Sequence, residues 1–166
     1  MGNAVTASLL GTGFPAQVAV APLTEVPLFQ VTIPANLAAG AAWILHAAAQ
    51  LAVGATAGNI TVRLRLGSLT GPVLAAASTG NFTANATGGA IIDSHVQVAT
   101  AGGPGVGSVA GDLQVLGLAG ATANAPVVAP PVSNDMTQPT VVVLTLATIS
   151  ATFTATGVLG YSLRVA

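Results

Sequence analysis

Residues 59–66, NITVRLRL, decide the fold class of this chain. Successive side chains on a strand point to opposite faces, so Ile60, Val62, Leu64 and Leu66 make an apolar row. Thr61, Arg63 and Arg65 fall on the other side. A helix would scatter the apolar residues around its circumference, whereas a strand gives them one dry face.

The reading extends outward from there. Residues 43–53 (WILHAAAQLAV) hold enough alanine for a helix, but Gly40 and Gly54 bracket them closely and their neighbours are β-rich. They read as a strand. Residues 26–33 (VPLFQVTI) are β-branched and aromatic; Pro27 has no amide hydrogen to give, which places this run at a sheet edge, and Pro34 ends it. On the other side, 72–77 and 81–86 are short strand candidates. Residues 90–100 (AIIDSHVQVAT) alternate, setting Ile92, Ser94, Val96 and Val98 against Asp93, His95 and Gln97. The stretch 101–111 (AGGPGVGSVAG) reads as a loop needing positive φ and leads into a strand at 113–118, with a further loop at 119–131. Residues 140–149 (TVVVLTLATI), 151–155 and 158–165 close the chain as strands, with Gly157 and Gly160 suited to turns or bulges between them.

This pattern predicts an all-β domain over residues 23–166, a jelly-roll-like β-sandwich of roughly eight to ten short antiparallel strands. Residues 1–22 carry Gly11, Gly13, Pro15 and Pro22 and no hydrophobic period, and read as an extended arm.

Charge is the second signal. Only 4% of the 166 residues are charged, and 52% are hydrophobic. The charged residues are Glu25, Asp93, Asp112, Asp135, Arg63, Arg65 and Arg164; there is no lysine. An ordinary domain carries about a quarter charged residues to keep its surface wet. A chain this poor in charge is covered either by hydroxyl and amide groups or by other protein. Three basic residues cannot neutralise the phosphates that nucleic-acid binding needs, so no nucleic-acid partner is expected. Absence of cysteine removes disulfides, thiol catalysis and cysteine-ligated metals. The mean hydropathy is +0.81. The longest apolar candidate, residues 35–58, could cross a bilayer of about 30 Å. Asn36, His46, Gln50 and several glycines interrupt it, and no Lys or Arg flanks it, so it reads as a soluble strand with its loops, with no membrane partner.

Catalytic signals are thin. Asp93-Ser94-His95 has the residue types of a hydrolytic triad, but strand geometry turns Ser94 away from both neighbours. Asp93 and His95 share a face and are free to bond each other or an arginine across the sheet. His46 and His95, with four scattered acids, are too few for a metal site within one chain, since such sites take three or four ligands. Residues 11–16 and 105–110 fit a loose G-x-G-x-x-A dinucleotide pattern, but neither lies between a strand and a helix. No enzyme activity, metal or cofactor is expected. The residues singled out are candidates for an interface: Arg63, Arg65, Trp43, Tyr161, Asp93 and His95. For the arginines, solvation is weighed against pairing with Asp93, Asp112 or a neighbouring subunit. Trp43 and Tyr161 are core or interface anchors.

Residues 31–67, VTIPANLAAGAAWILHAAAQLAVGATAGNITVRLRLG, run from a strand ending in I-P-A through x-L-x-x-G to a strand, a glycine turn and an alternating strand. This rhythm resembles bacteriophage jelly-roll virion proteins. Residues 90–117 (AIIDSHVQVATAGGPGVGSVAGDLQVLG) and 140–166 (TVVVLTLATISATFTATGVLGYSLRVA) are similar to the glycine-loop hairpin and closing strands of the same group. The chain departs from it in being alanine-rich and poor in aromatic residues. The resemblance implies a structural role on a virion: a capsid decoration or cement protein on the capsid surface, with the major capsid protein and other copies of itself (a homotrimer) as partners. A head fibre or a tail-tip, receptor-binding module is the alternative.

Overall fold

In the computed structural model the described residues are 9–12, 18–79, 82–116, 127–148 and 152–164; side chains are described within 21–79, 82–115, 128–148 and 152–155. They form twelve strands and, among the described residues, no helix. In chain order these are β1 (Leu9–Thr12), β2 (Val18–Val20), β3 (Glu25–Ile33), β4 (Ala42–Val53), β5 (Ile60–Leu66), β6 (Val73–Ser78), β7 (Thr87–Thr100), β8 (Ser108–Leu116), β9 (Val127–Val128), β10 (Val132–Ser133), β11 (Thr140–Thr148) and β12 (Phe153–Arg164). The larger sheet has the order β1-β12-β4-β7-β8-β10, with β2 also on β12; the smaller has the order β3-β11-β5-β6-β9.

Every pairing between these strands is antiparallel. Four of them nest: β5 with β6, β4 with β7, β3 with β11, β2 with β12. The amino-terminal half of the chain thus runs as a ribbon against the carboxy-terminal half and alternates between the sheets as it wraps. That is a jelly roll, with β8 to β10 inserted before the last two strands. Within the span read as an arm, β1 and β2 lie along β12.

The alternation predicted for residues 59–66 holds. Ile60, Val62 and Leu64 are fully buried, and Thr61, Arg63 and Arg65 face outward. Residues 43–53 are strand, with Trp43, Leu45, Ala47, Ala49 and Leu51 turned into the sandwich. Three local readings change. Of the strand expected at 81–86, the described residues 82–86 do not make one: Phe82 holds only an isolated bridge to Gly58, and a turn follows in which Asn85 takes a φ of 58°. The glycine loop is shorter than expected, because β8 already starts at Ser108. The two closing strands are one, β12, whose register against β4 shifts between Gly157 and Leu159.

Two glycines make the larger sheet fit. A Cβ on Gly111, in β8, would lie 2.7 Å from Leu64 Cδ2 and 3.1 Å from Leu74 Cβ, so the sheets touch there only because the side chain is missing. At Gly107 a Cβ would meet the Asn134 carbonyl oxygen at 2.4 Å and that of Gly102 at 2.5 Å. These carbonyls stitch the loops at this end: Gly102 accepts from Met136 N–H at 2.9 Å, and Met136 accepts from Asn36 N–H at 2.8 Å.

Candidate functional site

The sandwich presents two outer faces, and the charged residues divide between them. On the smaller sheet, the apolar alternation of β3 counted back from Ile33 through Val31 and Phe29 would point Pro27 and Glu25 inward. A register shift opposite Leu144 and Thr145 prevents this. Leu28 is the extra residue, so Leu28 and Phe29 are both buried and the parity beyond them flips. Proline, with no amide hydrogen, is tolerated there at the sheet edge. Glu25 therefore emerges on the outer face and reaches across β11 toward β5.

Arg65 donates from Nε to Glu25 Oε1 at 2.7 Å and from Nη2 to Oε2 at 2.9 Å, a two-pronged fork. Its Nη1 donates to the Gly71 carbonyl at 2.7 Å. Arg63 Nη1 donates to Glu25 Oε2 at 3.0 Å, and the Thr145 hydroxyl donates to Oε1. These long side chains lie over Thr145 and Val143, which are buried although they face outward. Partial burial pushes the Glu25 carboxyl up, but the hydrogen bonds from Arg65 and Thr145 and the charges of Arg63 and Arg65 outweigh it and hold the group below the usual carboxylate range. The bond to Glu25 raises Arg65 against the opposing effect of its own burial.

On the larger sheet the outward residues of β4, β7 and β8 are mostly small or neutral: Ala42, Ala48, Ala52, Gly89, Gln97, Ala110 and Gln114 among them. Two histidine–aspartate pairs are set into this face. His46 Nδ1 lies 2.5 Å from Asp93 Oδ1, and these residues are register partners on β4 and β7. His95 Nδ1 lies 2.7 Å from Asp112 Oδ1, between register partners on β7 and β8, and the His95 amide donates to the same oxygen at 3.0 Å. A carboxylate only accepts, so the proton sits on Nδ1 in each pair.

The structure sorts the sequence candidates as follows. Asp93 and His95 share a face but bond to His46 and Asp112, not to each other or to an arginine. Arg63 and Arg65 do not reach Asp93 or Asp112, which stand on the other sheet; their partner is Glu25. Trp43 is fully buried and is a core anchor. Tyr161 sits opposite His46 in the register of β12, and its side chain lies outside the described part. Ser94 is turned into the core, where its Oγ has no hydrogen-bond partner, so it forms no triad with Asp93 and His95. The 105–110 glycine pattern enters a strand and no phosphate-cradling helix follows. The residues 11–16 pattern falls partly outside the described residues.

Glu25, His46 and Asp112 are the paired groups absent from the interface candidates, although the sequence weighs His46 as a metal ligand and Asp112 as an arginine partner. Pro27 inside an otherwise regular strand was the available sign of the bulge that exposes Glu25. Nothing local marks the other two, because cross-strand register made them partners. Among the described residues, no three histidine or acidic side chains are grouped to hold a metal. Among the described residues, two of the shallow depressions lie open to solvent. One, of about 370 Å³, is lined by Pro27, Gln30, Leu69, Thr70 and Val143; the other, of about 250 Å³, is lined by Val53, Gly54 and Phe153. Neither lining includes an acid, a base or a thiol. No helix of the described residues is long and apolar enough to cross a membrane, which says nothing of a barrel of strands.

The charge inventory ends with Asp135, whose Oδ1 accepts from the amide of Thr137 at 3.0 Å and from its hydroxyl at 2.6 Å. Glu25, Arg63, Arg65, Asp93, Asp112 and Asp135 thus all have partners inside the chain; the side chain of Arg164 lies outside the described part. No protein-family model, curated protein or solved structure matches the chain.

Proposed function

We propose that the chain is a phage virion structural protein, a capsid decoration or cement protein that binds the outer capsid surface and stabilises contacts between capsomers. The observation that carries this reading is the internal pairing of its few charges. A surface buried against protein must give up water, and an unpaired charge makes that costly. Here the described charged groups already hold partners, and most of the remaining surface is alanine, glycine, hydroxyl or amide. Such a surface can be covered over a standard interface of about 1,600 Å² without stranding a charge. The sequence resemblance supplies the biological setting, with the major capsid protein and further copies of the chain, as a homotrimer, as the partners. Attachment through several copies multiplies weak contacts.

The test is to image the particle made by the genome that encodes this chain and to count the chain by quantitative mass spectrometry. A regular lattice of copies over the capsid is the expected result. A few copies at one vertex would transfer the chain to a fibre or tail-tip role, and absence from the particle would end the proposal.

A further inference from the structure

We infer that the outer face of the larger sheet is the surface on which a second copy of this chain docks. The inference rests on the self-association in the reading above and names one face for it; a face set against its own copy closes a pair, so this contact is twofold and separate from the threefold contacts of a homotrimer. Area is the first argument. Four strands about 4.8 Å apart, with about eleven residues each rising about 3.3 Å, present roughly 600 Å² in projection. Two such faces bury at least about 1,200 Å², where specific interfaces begin.

Relief is the second argument. Along β4 the outward positions Ala42, Ala48 and Ala52, with Gly89 opposite Gln50 on β7, carry little side chain that would hold another surface away. Ile44 lies among them, and Ile91 remains 40% exposed, an apolar side chain without a cover.

Charge pattern is the third, and it points to a copy of the same chain. Asp93 and His95 are next neighbours on the outward side of β7, with His46 beside the first and Asp112 beside the second. Donor and acceptor thus alternate along and across the face. A second identical face turned against it can set histidine against aspartate, which a face of one sign could not do. Among the side chains described on this face there is no arginine to repel the incoming copy.

The experiment is to measure the mass of the full chain in solution by sedimentation equilibrium, for the native sequence and for variants. The native chain is expected at an even multiple of 15.9 kDa, and an odd multiple overturns the inference. Ala48→Arg places a charged side chain in the middle of the face and is expected to halve the mass. Thr32→Arg, on the outer face of the smaller sheet, is expected to leave the assembly unchanged. Circular dichroism checks folding; if Ala48→Arg does not fold, Gln97→Arg on the same face takes its place and should weaken association at least about tenfold. A native chain that stays at 15.9 kDa at every concentration overturns the inference. So does an oligomer indifferent to both face variants, but that outcome leaves capsid attachment standing, whereas loss of capsid attachment with an intact face-dependent oligomer would sink only the proposed function.

Discussion

The two outer faces use scarce charge in opposite ways. On the smaller sheet one carboxylate is gripped by two arginines and a threonine, and the group is sunk far enough that Thr145 beneath it is fully buried. On the larger sheet the charges are split into two separate histidine–aspartate pairs, of which His95 and Asp112 are more than half exposed. The first arrangement belongs to the fold, because it ties β3 to β5 across β11. Of the second, the His95–Asp112 pair is solvated and adds little to the fold, whereas His46 and Asp93 are about as buried as Arg63 and Glu25. Burial, rather than the number of charges, separates a structural cluster from a surface one.

The sharpest way to break this contrast is Glu25→Ala. It leaves two partly buried guanidinium groups without their carboxylate, and a loss of about 3 kcal/mol is expected in urea unfolding. A loss below about 0.5 kcal/mol would place the cluster with ordinary surface pairs. Removing one of the exposed partners instead, His95→Ala, should cost no more than about 0.5 kcal/mol in a chain whose larger-sheet face is kept uncovered by Ala48→Arg. Equal costs for the two substitutions would erase the distinction between the faces.

Between these lies Ser94→Ala. The hydroxyl is fully buried and unpartnered beneath the larger sheet, so removing it should stabilise the chain by about 1 kcal/mol, read as a raised unfolding midpoint. A destabilisation there would mean that the hydroxyl has a role that the static arrangement does not show.

The smallest effect expected is a pH dependence. The carboxyl of Glu25 is held below its usual range in the folded chain, so the unfolded chain binds its proton first as pH falls. The stability it contributes is complete above the usual carboxylate range and is lost as pH drops through that range toward the folded value. Glu25→Gln should flatten the acid limb of the stability curve. An unchanged acid limb would show that other carboxylates dominate it.

Much of the fold was legible beforehand for a simple reason. Period-two alternation acts locally, and NITVRLRL or AIIDSHVQVAT declares its buried face whatever lies across from it. Strand β4 was legible despite its alanines because close glycines left no room for a long helix. Residues 81–86 misled for the same local reason: the composition suits a strand, yet Phe82 pairs only with Gly58 and the chain then turns at Asn85.

The candidate site was read only in part. The sequence alone determined an all-β chain, the inward turn of Ser94, the shared outward face of Asp93 and His95, and the shared outward face of Arg63 and Arg65. It could not determine who meets whom, since partners such as Glu25 and Arg65 are 40 residues apart. Their meeting depends on β11 arriving between β3 and β5, and on a bulge that reverses the parity of β3. A shift of one residue in a strand sends every side chain beyond it to the other face. Only the tertiary structure, by fixing register and bulge together, decided that the arginines close on Glu25 and the histidines on the aspartates.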